Sequence, residues 1–96
     1  MSPLLRRYRA ERLLREEFEG SRTQVLRAVR GKLRARGASL DEADLEACYA
    51  TAWHGLYAAM LKGEEIENRI GWLVLTCYRR AIDELRVRSR GSEPVE

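Results

Sequence analysis

The stretch from Trp72 to Arg90, WLVLTCYRRAIDELRVRSR, decides the fold. Wound as an α-helix at about 100° per residue, it gathers Leu73, Val74, Cys77, Tyr78, Ala81, Ile82 and Leu85 on one side. Trp72, Thr76, Arg79, Asp83, Arg86 and Arg90 share the other side, at helical steps of four and three. An apolar stripe of this length predicts a long helix packed on a core. A tryptophan among arginines on the wet side is unusual, and it raises the question of what that side touches.

The remaining sequence points the same way. Alanine, leucine, arginine and glutamate dominate, and all four favour helix. The chain has 96 residues, 45% of them apolar, with only two prolines and one phenylalanine. These totals predict one domain of the all-α class, a small bundle of about four helices. The first is expected over Pro3 to Glu19, with Pro3 suited to a first helical turn. Gly20 is expected to break it, and Ser21 with Gln24 has the spacing of a capping box. The second runs from about Arg22 to Arg36 on a stripe of Val25, Leu26, Val29 and Leu33, and Gly37 is its natural stop. Residues 1–20 are thus an N-terminal helix, 21–90 the helical domain, and 91–96 a tail or the start of a linker.

Ser39 and Glu42 form another capping box at the start of the third helix. Asp41, Glu42, Asp44 and Glu46 crowd its first turns, where the helix dipole favours anions. Its buried stripe is expected to be Leu45, Tyr49, Ala52, Trp53, Leu56 and Met60. Ala43, Ala47, Ala50, Ala58 and Leu61 lie near the opposite face beside Thr51 and His54. Two readings of that face stand: it admits close approach of another molecule's helix, or the fourth helix of this domain covers it. The fourth helix, from about Glu67 to Arg88, follows an acidic connection, KGEEIEN.

Charge is segregated along the chain. Residues 1–36 hold 11 Lys/Arg against 4 Asp/Glu, residues 37–68 hold 1 against 7, and residues 69–96 hold 6 against 4, for a net +3. Such a distribution offers one surface to a polyanion and another to a different partner, although short helices also carry solvated charge. Cys48 and Cys77 sit in or beside apolar stripes, which predicts buried free thiols in a reducing compartment. No apolar run reaches signal-peptide or membrane-spanning length, so the cytoplasm is expected and a membrane partner is not.

Catalytic chemistry is poorly represented. His54 is the single histidine and has no partner at metal-ligand spacing. The cysteines lack a CxxC arrangement, and no glycine-rich phosphate loop occurs. The carboxylates cluster where capping explains them. No enzyme, metal or cofactor is expected. The arginine–tryptophan face suits nucleic acid instead: arginines hold phosphates and aromatic rings stack on unpaired bases. Asp83 is expected to pair with Arg79, Arg80 or Arg86 and aim it.

The ordered set ADLEACYATAWHGL and GWLVLTCYRRAIDELRVRSR resembles region 2 of bacterial sigma-70 family factors, most closely the extracytoplasmic-function type. Trp72-Leu73, Ala81-Ile82-Asp83, Leu85-Arg86 and the basic end at Arg88 and Arg90 carry the likeness, with Tyr49, Ala52, Trp53 and Leu56 in support. It covers roughly residues 21–90. The resemblance implies a helical bundle that docks on the β′ clamp helices of core RNA polymerase and captures the non-template strand of the promoter minus-ten element. It implies DNA contacts by Trp72, Arg79, Arg80, Arg86, Arg88 and Arg90, with Lys62 and Arg69 at the rim. It implies polymerase contacts by Glu46, Ala47, Ala50 and His54. An anti-sigma protein or a separate region 4 subunit would be further partners. The chain departs from the family at Ala43-Asp44-Leu45-Glu46-Ala47, where Asp-Leu-Val-Gln-Glu is usual, and at Tyr78-Arg79, where Arg-Asn is usual. Gly71 stands where housekeeping factors have a second aromatic. These departures leave a second expectation, a sigma-like interaction or oligomerisation module without promoter recognition.

Overall fold

The computed structural model describes residues 2–91, apart from the side chains of Ala10, Leu13, Arg90 and Gly91, and every regular element in it is a helix. Helix α1 spans Pro3–Ala35, α2 Glu42–Leu61 and α3 Arg69–Gly91. The all-α bundle expected from the sequence is what the chain forms. Three helices carry the four expected helical segments, because the first two run together. Most of the expected 91–96 tail lies outside the described residues.

Gly20 does not break the chain. A glycine inside a helix costs about 1 kcal/mol relative to alanine, and contacts on both sides of it outweigh that cost. Ser21, expected to cap a new helix, stays helical and is buried. Its hydroxyl donates to the Glu17 carbonyl at 2.8 Å and lies 2.9 Å from the Tyr49 hydroxyl. Tyr49 donates in turn to the Phe18 carbonyl. The Phe18 ring packs on Tyr49 and Trp53, with centroids 5.0 and 5.8 Å away. Ending the helix at Gly20 would abandon this junction, so tertiary packing overrides the local capping signal.

The other boundaries follow local chemistry. Ser2 accepts the Leu5 N–H at 3.2 Å and Pro3 occupies the first turn. Gly37 ends α1 as expected: its φ of 72° lets Ala38 N–H reach the Leu33 carbonyl at 2.9 Å. Helix α2 starts later than its expected cap at Ser39, because Asp41 accepts the Asp44 N–H at 2.9 Å. Asn68 opens α3 by accepting the Gly71 N–H at 2.9 Å. A β-carbon on Gly71 would stand 2.6 Å from the Asn68 side-chain nitrogen, so the absence of an aromatic there has a local reason.

Cross-helix pairs fix the directions. Arg30 meets Glu42, Arg22 meets Glu46 and Glu11 meets Tyr57, so α1 and α2 are antiparallel. Asp44 meets Arg88 and Gly55 meets Trp72, so α2 and α3 are antiparallel too. The core joins Val25, Leu26, Val29 and Leu33 of α1 to Leu45, Cys48, Tyr49, Ala52, Trp53 and Leu56 of α2. Leu73, Cys77, Ala81 and Ile82 complete it from α3. The expected stripes of α2 and α3 face inward, with Met60, Val74, Tyr78 and Leu85 partly covered at the edges.

Leu56 is fully buried. Leu56→Ala is expected to destabilise the fold by about 2–5 kcal/mol, the range for emptying a buried leucine site. Tyr49→Phe, which removes only the hydroxyl at the Gly20 junction, is expected to cost about 1 kcal/mol. Urea denaturation followed by circular dichroism checks both.

Candidate functional site

Helix α3 presents its polar side along one edge of the bundle, and the candidate residues fall into three groups there. Trp72 is half-buried rather than fully outward. A β-carbon at Gly55 would lie 3.2 Å from its Cη2, so the far end of the benzo ring is wedged against α2 at a residue with no side chain. The indole is thus both a packing element and part of the surface.

The second group is committed to ion pairs within the fold. Arg69 grips Glu17 with two hydrogen bonds, of 3.1 and 3.0 Å, and ties the start of α3 to α1. Arg88 meets Asp44 at 2.5 Å and ties the end of α3 to the start of α2. That hydrogen bond holds the Asp44 carboxyl below its usual range. Arg80 reaches Glu84 at 4.0 Å within its own helix, a pair of small energetic weight. On α2, Glu46 is engaged by Arg22, with Arg22 Nε 2.8 Å from Oε2.

The third group is uncommitted. Arg79 and Arg86 are exposed, and among the described residues neither makes an ion pair. Asp83, expected to pair with a neighbouring arginine, is also exposed without an ion pair among these residues. Its neighbour Glu84 faces Arg80 one helical turn back instead. Lys62 is exposed at the end of α2. The Arg90 side chain lies outside the described residues.

The opposite face of α2 is open. Ala43, Ala47, Ala50, Thr51, His54, Ala58 and Leu61 are exposed, and α3 does not cover them. Of the two readings left by the sequence, cover by the fourth predicted helix is the one that the fold removes. The first turns of α1 add further exposed apolar surface, with Leu4 78%, Leu5 55% and Tyr8 57% exposed.

Titratable chemistry is sparse in this arrangement. Cys48 and Cys77 are free and buried. Burial pushes both thiols up, Cys77 to about 12, so both stay protonated at neutral pH. No cluster of His, Cys, Asp and Glu suited to a metal ion occurs among the described residues. No described helix is long and apolar enough to cross a membrane. A cleft of about 390 Å³ lies between the first turns of α1 and the acidic connection, lined by Arg6, Arg9, Met60, Glu64, Ile66 and Arg69 among others. It mixes both signs of charge. Sequence periodicity put Tyr78 on the apolar side, where it packs partly covered against the core, but gave no sign that Arg36 would donate to its hydroxyl at 3.2 Å. No protein-family model, curated protein or solved structure matches the chain.

The Asp44–Arg88 pair gives a pH signature. The folded carboxyl titrates below its unfolded value, so its contribution is full above the unfolded pKa and is lost as pH falls through the folded one. Asp44→Asn is expected to lower stability at neutral pH and to narrow its deficit against wild type as the solution is acidified through that range. Melting temperatures collected across the acid limb check this.

Proposed function

We propose that the chain is a sigma region 2-like domain that binds core RNA polymerase and the unpaired non-template strand of the promoter minus-ten element. The observation that carries this reading is a pair of exposed arginines on α3, Arg79 and Arg86, which make no ion pair among the described residues, while Arg22, Arg30, Arg69 and Arg88 are held by carboxylates of other helices. Free guanidinium groups attract phosphate, and Trp72 on the same side offers an aromatic edge to a base. The ordered likeness over residues 21–90 supplies the class of strand and the second partner. In this reading Ala47, Ala50 and His54 on the open face of α2 meet the polymerase clamp. Glu46 acts there through its pair with Arg22. Arg69 and Arg88 brace the DNA-bearing helix, and Arg79 and Arg86 take the phosphates.

A second reading has its own support. The exposed small residues of α2 and the apolar first turns of α1 suit a protein-interaction or oligomerisation module without promoter recognition. Retention on immobilised core polymerase separates the two. Retention supports the sigma-like reading; self-association by sedimentation, without retention, supports the module.

The DNA face has a direct test. Arg79→Ala/Arg86→Ala is expected to weaken binding to single-stranded minus-ten oligonucleotides. It is also expected to make the salt dependence shallower by about 1.4, from about 0.7 for each phosphate no longer neutralised on a single strand. Fluorescence anisotropy at several salt concentrations measures both. Affinity and slope equal to wild type would sink the assignment of that face.

A further inference from the structure

The charged residues in the last turns of α1 are all cations. From Arg22 to Arg36 the sequence carries six Lys/Arg and no Asp/Glu. Arg22 and Arg30 are taken by Glu46 and Glu42 of α2. Lys32 and Arg36 turn to the other neighbour and meet on one residue of α3, Tyr78. Arg36 Nη1 donates to the Tyr78 hydroxyl at 3.2 Å, and the Lys32 ammonium stands 5.7 Å from the centre of the Tyr78 ring. Neither cation has a carboxylate partner among the described residues, and both are exposed.

Two cations drawn to one neutral side chain repel each other. The negative end of the α1 dipole offsets part of that repulsion, as it does for any basic residue in a last turn. It does not explain why both cations sit on the side next to α3. Tyr78 draws them there, beside a surface that carries further exposed groups. Leu75, one turn before Tyr78, is 47% exposed. Arg79 follows Tyr78 directly, and Arg86 lies two turns further along the same face.

We propose that Lys32 and Arg36, gathered by Tyr78, form a second phosphate-holding station for the same DNA single strand. The strand then crosses from Arg79 and Arg86 over Leu75 to the C-terminal turn of α1. The chemistry suits the role. A guanidinium carries a fork of N–H donors, and the tyrosine occupies one edge while orienting the rest. The ammonium of Lys32 keeps its donors, because contact with an aromatic face consumes none. Leu75 supplies an apolar step between the stations. This inference rests on the single-strand reading of α3 and adds a helix to it.

The test compares Lys32→Ala/Arg36→Ala with wild type, using labelled single-stranded DNA of mixed sequence. The oligonucleotide is roughly 15 nucleotides long, at the upper end of typical site sizes. Weaker binding and a salt slope shallower by about 1.4 are expected, since two phosphates are no longer neutralised. Lys32→Arg/Arg36→Lys is expected to retain the wild-type slope. Tyr78→Phe, which releases Arg36 but keeps the ring under Lys32, is expected to weaken binding by less than the double alanine variant. Thermal melting confirms that each variant is folded. Should the alanine variant and Tyr78→Phe both match wild type while Arg79→Ala/Arg86→Ala loses binding, the second station is overturned and the α3 reading stands. Should the wild-type protein bind no single strand, both fall together.

Discussion

The junction of Ser21, Phe18 and Tyr49 is the constraint on which the architecture depends. It holds α1 helical across a glycine that would otherwise end it. One continuous helix of 33 residues is about 50 Å long at 1.5 Å per residue. That length lets a single element serve both ends of the bundle. Near its middle Glu17 receives Arg69, and just past its finish Arg36 reaches Tyr78. Two helices joined by a hinge at Gly20 would carry those contacts on separately oriented pieces.

Ion pairing then sorts the arginines. Every helix pair shares at least one bridge between a carboxylate and a guanidinium: Arg22–Glu46 and Arg30–Glu42 for α1 and α2, Arg69–Glu17 for α1 and α3, and Arg88–Asp44 for α2 and α3. Exposed bridges contribute little stability individually. Their larger effect is on availability, because a guanidinium held by a neighbouring helix is less free for a phosphate. The acidic first turns of α2, read from sequence as dipole-favoured caps, do both jobs. Asp41 caps the helix, while Glu42, Asp44 and Glu46 each draw an arginine from a neighbour.

Much of the fold was legible because helical periodicity reports burial directly. The stripes of Val25 to Leu33, Leu45 to Leu56 and Leu73 to Ile82 turned inward as their spacing requires. Gly37 ended a helix because only its positive φ closes the turn without strain. Gly20 misled, since propensity and capping spacing are local signals and the Tyr49 contact comes from 28 residues away. The site was less legible for a similar reason. Periodicity put Trp72, Arg79 and Arg86 on one side, and that much holds for exposed Arg79 and Arg86. It could not tell that Trp72 would meet a glycine on α2, or that Arg69 and Arg88 would find carboxylates on other helices. Nor could it bring Lys32 and Arg36 to Tyr78, a meeting that depends on how α1 and α3 pack.

The placement of the two indoles has an optical consequence. Trp53 is 2% exposed, inside the aromatic cluster with Phe18 and Tyr49, whereas Trp72 stands half-covered at the margin between α2 and α3. The molecule therefore carries two native fluorophores in unlike surroundings. The inner one reports on the integrity of the interior, and the outer one is open to quenching by whatever settles against its rim. Emission can thus distinguish loss of structure from occupancy without any attached dye.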